Sequence, residues 1–239
     1  MSDTALLLIG SPISKQGNQM RRRIFTWAGV SLAMLGPGAV AWLSRPVSGQ
    51  FTLRASVSGL GLFCLLIICV VAIARLGEQL GLNQMGFKRT SWRSAPSAIL
   101  LALFFMFVLG PIAYGALAYV APGSFDSGER SLAGLPLWYV GVTIIIVAAG
   151  EEWLYRGYAI ERLEELTGST FAAGIISLLM FGMAHLPLWG LSAALSTVAS
   201  GAIFTVLYIW RRDIVALAVA HVLIDLYGLI TIRISGPAA

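Results

Sequence analysis

Seven apolar runs alternate with short polar and basic segments along this chain. Each is close to the roughly 17–25 residues that cross a bilayer as a helix. They fall at about Ile24–Leu43, Ser56–Ala74, Ser97–Val120, from Leu135 onward, Phe171–Leu186, Leu191–Trp210 and Ile214–Ile232. The fourth run passes through Glu151 and Glu152 and is expected to continue as a charged helix to Leu166. Gly168 breaks it there, and Ser169 or Thr170 can cap the next helix. Pro187 is expected to end the fifth run, and Arg211-Arg212-Asp213 separates the sixth from the seventh. The pattern predicts an all-α, polytopic transmembrane helical bundle of about seven spans, with N-terminal and cytoplasmic helical extensions. Residues 1–20 read as a polar tail or a short interfacial helix. Residues 21–239 read as one transmembrane domain with its core at about 135–232, and no repeat or linker interrupts it.

Composition agrees with lipid as the main solvent. The chain is 58% hydrophobic and 11% charged, with mean hydropathy +0.84, where soluble domains sit nearer 45–50% apolar. A net charge of +5 would suggest nucleic acid in a soluble protein, but here the basic residues cluster at the ends of the apolar runs, as the positive-inside bias produces. With the N-terminus in the cytoplasm, eleven Lys and Arg fall inside and four outside (Arg45, Arg54, Arg130 and Arg233), Arg156 being left out because it sits near the acids. This predicts a multi-pass protein of the cell membrane and excludes nucleic acid as a partner. Arg22-Arg23-Ile24-Phe25 superficially resembles the start of a cleavable signal, but the run that follows has span length, so an uncleaved first span is expected. Cys64 and Cys69 lie five residues apart in one run and read as small buried hydrophobes.

Chemistry enters through ionisable residues inside the apolar runs. Charged groups at membrane depth cost a few kcal/mol or more, so they point to function. Glu151 lies 17 residues before Gly168 and His185 lies 17 after it. Equal distances from the turn put both at one height on neighbouring antiparallel helices. His221 is nine residues past Arg212, roughly 14 Å along its helix, which is a similar height. Glu152 and Arg156 are spaced i,i+4 and can pair, as can His221 and Asp225, while Phe181 shares a face with His185. Glu151 and Glu152 point about 100° apart, so one can face a cavity while Arg156 holds the other.

A carboxylate in a low-dielectric cavity suits a general base that later returns its proton. Glu151 beside His185 could hold and deprotonate a water, with His221 and Asp225 stabilising the oxyanion formed at an attacked carbonyl. Alternatively Glu151, His185 and His221 could ligate one divalent metal, zinc above all, with an open position for water. The cofactor is thus none or one such metal. Glu161, Glu164 and Glu165 read as a solvated helix face, Trp189 and Trp210 as interfacial anchors, and Ala172, Ala173, Gly174 and Gly201 as sites of close helix packing.

Three ordered motifs carry a resemblance. Glu151-Glu152-Trp153-Leu154-Tyr155-Arg156 fits EExxxR, Phe181 to His185 fits FxxxH, and His221 to Asp225 fits HxxxN/D. Together, over roughly residues 135–230, the chain resembles the CPBP family of intramembrane proteases, also called the Abi or CAAX-protease family, with its Rce1-type members. The resemblance implies an endopeptidase acting on a peptide or membrane-protein substrate, with a cavity opening toward the cytoplasmic half. Glu151 and His185 would position the water, His221 and Asp225 would form the oxyanion site, and Glu152 and Arg156 would support them. Asp225 departs from the Asn that Rce1-type members often carry. Two other readings use the same residues: a catalytically silent scaffold or immunity protein of this fold, and a proton-coupled transporter with the Glu/His set as a relay.

Overall fold

The computed structural model describes residues 12–45, 52–87, 94–120 and 134–235. The loop charges Lys88, Arg89, Arg93, Asp126, Glu129 and Arg130, and the first eleven residues of the expected tail, lie outside them. Among the described residues there is no strand. Helix α1 is Pro12–Ser44, and α2 is Leu53–Ala72, continued by a π-turn, Ile73–Gly77. A 3₁₀ turn, Leu82–Met85, precedes α3, Ser94–Phe104. A second π segment, Phe105–Leu109, joins α3 to α4, Gly110–Val120. Helix α5, Leu137–Glu152, runs through a π segment, Trp153–Ile160, into α6, Glu161–Thr167. Then come α7, Thr170–Arg211, and α8, Ile214–Ser235. The first helix begins well before Ile24, so residues 12–20 of the expected tail extend α1.

Six of these helical rods are long and apolar enough to cross a membrane, α7 being the longest at 42 residues. At 1.5 Å per residue α7 would span about 63 Å, twice a hydrocarbon core. Gly190 resolves this with φ 78° and ψ −177° inside the rod, a backbone region essentially reserved for glycine. The halves 170–189 and 191–211 fold back on each other. A Cβ on Gly182 would meet the Val198 side chain at 2.2 Å, and one on Gly174 would meet Ile209 at 2.8 Å and Thr205 at 3.3 Å. Counted as this hairpin, α7 supplies two crossings and the bundle has seven. The break falls at Gly190, and Pro187 is carried within the helix, where a missing N–H is tolerated in membrane helices.

The predicted stop at Gly168 is present. Gly168 adopts φ 70°, and the Ser169 hydroxyl accepts from the Ala172 N–H at 3.2 Å to cap α7.

One end of the bundle is laced with charge. Arg22 of α1 pairs with Glu165 at 3.0 Å, and Arg212 reaches Glu161 at 2.5 Å and Glu164 at 2.7 Å. Arg162 pairs with Glu165 and donates to the Gln84 carbonyl at 3.0 Å. Tyr208 donates to Glu161 and Tyr158 to Glu78, both at 2.9 Å. Ser94 donates to Asp213 at 2.6 Å, and Asp213 accepts from the Ala216 N–H at 3.1 Å at the start of α8. The expected solvated face on α6 holds for Glu165, which is exposed, and is corrected for the other two acids. Glu161 is buried, Glu164 is half-buried, and both are tied to other helices. Arg212, projecting from the end of the α7 hairpin, supplies the countercharge that allows this.

Candidate functional site

The fourth crossing builds the site. Glu151 and Glu152 end α5, and the chain then widens into the π segment, all eight of whose residues are buried. Such segments are rare and often mark functional sites. The wider turns are held from outside: Trp153 donates its indole N–H to the Met85 carbonyl at 3.1 Å, and Ser177 donates to the Tyr155 carbonyl at 2.5 Å. Tyr155 donates to the Met34 carbonyl of α1 at 3.2 Å. Gly86, at φ 95°, lies so near Gly157 that a Cβ would stand 2.4 Å from its Cα.

Glu152, not Glu151, is the acid that Arg156 holds. The two form an ion pair at 3.0 Å with each side chain only 1% exposed. The other guanidinium nitrogen donates to the Gly201 carbonyl at 3.3 Å, and the guanidinium stacks 4.0 Å over the Phe181 ring. Gly201 fits its expected packing role for a specific reason: a Cβ there would stand 3.0 Å from Arg156. The same Glu152 oxygen accepts from His221 Nδ1 at 3.0 Å. This bond was not legible in the sequence, because i,i+4 spacing ties His221 only to Asp225. That second contact is longer, with Nε2 3.7 Å from the Asp225 carboxylate. Phe181 and Phe204 flank the His221 ring edge-on at 6.3 and 5.7 Å between centroids. No sequence signal pointed to Phe204.

His185 stacks edge-on over Phe181 at 4.9 Å, and its Nδ1 lies 2.9 Å from the Phe181 carbonyl. A carbonyl only accepts, so Nδ1 carries the proton and Nε2 of the neutral ring is left as an acceptor. Glu151 is partly exposed and lies within electrostatic reach of His185, His221 and Asp225. The sequence-predicted residues thus share one neighbourhood on α5, the first half of α7 and α8, over a floor of Glu152, Arg156, Phe181 and Phe204. That neighbourhood holds two acceptors, Glu151 and His185 Nε2, and a potential donor, His221 Nε2. Among the described residues no three His, Cys, Asp or Glu side chains are grouped closely enough to hold a metal ion, while the Nδ1 contacts of His185 and His221 leave each Nε2 outside those bonds.

Fold and site together define a multi-pass helical membrane protein with an acid–histidine cluster inside the bundle. Residues 133–227 match the family model described as type II CAAX prenyl endopeptidase Rce1-like. The matched segment carries all three motifs, so this part of the chain is similar to the Rce1-like family. No curated protein and no solved structure matches it.

Proposed function

We propose that the chain is an intramembrane endopeptidase in which Glu151 and His185 activate water and His221 stabilises the oxyanion. The match of residues 133–227 to the Rce1-like model supports protease-type function. The observation that carries the finer reading is the division of labour between the two adjacent acids. Glu152 is locked to Arg156 and His221, while Glu151 remains partly exposed among the histidines.

A water held between Glu151 and His185 Nε2 donates one hydrogen to each and directs a lone pair at the scissile carbonyl. As the oxygen attacks, Glu151 takes a proton, and it later returns that proton to the leaving amine. The carbonyl oxygen gains negative charge and accepts from His221 Nε2–H. With Nδ1 donating to Glu152, Nε2 donates to the oxyanion from the doubly protonated ring. Asp225, 3.7 Å from Nε2, is close enough to orient the ring. The partly exposed acids and histidines favour this over the silent-scaffold reading, which a site filled with bulky side chains would support.

The test is peptide cleavage by the purified protein. Glu151→Gln and His185→Ala each reduce kcat by at least about 100-fold, the lower range for loss of general acid–base catalysis. Full activity in both variants would overturn the assignment. Cleavage by chelator-treated enzyme is expected to persist.

A further inference from the structure

A second group of charges lies at the basic end, apart from the Glu151 neighbourhood, where the spans Gln16–Ser44 and Leu53–Gly77 meet. A Cβ on Gly77 would stand 2.5 Å from the Phe25 ring, and one on Gly29 would collide with the Tyr158 hydroxyl. The end of α2, α1 and the π segment are therefore in close contact. Beyond Gly77 the chain turns back sharply. Gln79 takes φ 60°, the Leu80 N–H returns to the Ala74 carbonyl at 2.8 Å, and Arg75 donates to the Leu80 carbonyl at 2.9 Å. The turn presses Glu78 inward, to 3% exposure.

Glu78 is under-satisfied there. Its Oε2 accepts from the Tyr158 hydroxyl at 2.9 Å, while Oε1 is buried with no hydrogen-bond partner among the described residues. One phenol thus answers a whole carboxylate, where a buried charge ordinarily has a cation or several donors. Glu78 forms part of the wall of a pocket of about 280 Å³, shared with Asn18, Gln19, Arg21, Arg22 and Gln79. Sites for drug-sized molecules hold roughly 300–1,000 Å³, so this one suits a small group or one end of a larger molecule.

The signs of the charges select that group. A bare cation drawn to Glu78 would meet two guanidinium groups, and a bare anion drawn to those would meet Glu78. A primary ammonium tethered to an anion satisfies both, its N–H groups donating to Glu78 Oε1 and its anion accepting from Arg21. Arg22, paired with Glu165 at 3.0 Å, adds positive charge beside it. Position selects the source. One turn deeper into the apolar runs, on the same faces as Arg21 and Gln79, Ile24 is 62% and Leu76 76% exposed. Apolar tails hanging from the pocket would lie over these two side chains.

We propose that the pocket binds the head group of an aminophospholipid of the phosphatidylethanolamine type, with the ammonium on Glu78 and the phosphate on Arg21. The Tyr158 bond ties the same carboxylate to the π segment, so a seated head group braces the wide turns that follow Glu151 and Glu152. The proposal does not depend on the protease reading.

The experiment is lipid binding by the delipidated full chain in detergent, read by native mass spectrometry and by the unfolding midpoint. The probes are dioleoyl phosphatidylethanolamine, its N-methylated series ending in phosphatidylcholine, phosphatidylglycerol, and phosphoethanolamine without tails. Methylation removes the N–H groups that Glu78 would accept and leaves the phosphate unchanged. One phosphatidylethanolamine is expected to bind at least about tenfold more tightly than phosphatidylcholine or phosphatidylglycerol, and to raise the midpoint. Glu78→Gln is expected to abolish that preference. Arg21→Gln, at an exposed side chain, is expected to weaken phosphatidylethanolamine by a similar factor. Equal affinity of the wild-type chain for phosphatidylethanolamine and phosphatidylcholine would overturn the proposal, whether or not Glu78→Gln folds. Phosphatidylglycerol binding as tightly as phosphatidylethanolamine would assign the pocket to an anion alone. Displacement of the lipid by an equal concentration of phosphoethanolamine would assign it to a soluble zwitterion. Either result overturns the lipid assignment. None of these readouts needs turnover, so a chain without Glu151-dependent cleavage would sink the protease reading and leave this one standing.

Discussion

At the residue scale, adjacent glutamates meet different surroundings because of a 100° turn of helix. Glu152 points into a dry floor and is neutralised by Arg156 at 3.0 Å. Glu151 points into the cluster of histidines. Removing one partner of a buried ion pair leaves the other charge uncompensated, at about 3–5 kcal/mol. Glu152→Gln and Arg156→Ala are therefore expected to lower the unfolding midpoint of the detergent-purified protein sharply. Arg156→Lys is expected to rescue only part of it, because a point charge cannot also reach the Gly201 carbonyl and stack on Phe181. Asp225 gives a second prediction. If it serves to orient His221, Asp225→Asn keeps kcat/KM within about tenfold or raises it, since a neutral amide can do the same and does not repel an oxyanion. Loss of cleavage in Asp225→Asn would assign the carboxylate charge a direct part.

Much of the residue layer was legible in the sequence. Turn counting from Gly168 and Arg212 brings Glu151, His185 and His221 to one height because straight helices convert sequence distance into length. What counting could not supply was azimuth across helices. The bond from His221 to Glu152 depends on how α8 rotates against α5, and no spacing within either helix encodes it.

At the element scale, the π segment was the part the pattern concealed, while the α7 hairpin was expected as the fifth and sixth runs and only its break moved, from Pro187 to Gly190. A π-turn has no composition of its own. Residues 153–160 take it because the 78–87 segment, α1 and α7 engage them from outside, through Met85, Met34 and Ser177. The Gly86–Gly157 approach is the tightest of these contacts. Gly86→Ala combines a Cβ 2.4 Å from the Gly157 backbone with φ 95°, which costs about 1–3 kcal/mol in backbone strain alone. It is expected to lower thermal stability and to reduce kcat, by loosening the turn that aims Glu151 and Glu152. Equal activity and stability would show that the 78–87 segment does not brace the site. Gly190 was legible only as a polar-poor boundary. Its neighbour Pro187 is the stronger sequence signal, yet the chain turns where glycine permits the backbone that a tight hairpin needs.

At the scale of the whole molecule, the seven crossings and the basic end follow from hydropathy and charge, because lipid forces every backbone group into helices. The burial of α6 does not follow. Glu161, Glu164 and Glu165 read as solvated in one dimension, and only the arrival of Arg22 and Arg212 from distant segments makes them a lattice closing the basic end. Arg212→Ala would leave Glu161 and Tyr208 without their cation, so it is expected to destabilise the bundle far more than Arg211→Ala, as read by unfolding in detergent.

The central claim is that Glu151 drives peptide-bond hydrolysis, and the most direct measurement is a comparison of protein termini in cells carrying the wild-type chain or Glu151→Gln. The account predicts a defined set of new termini in the wild type that vanishes, with uncleaved precursors accumulating, in Glu151→Gln and equally in His185→Ala. An identical set of termini in all three strains would contradict it.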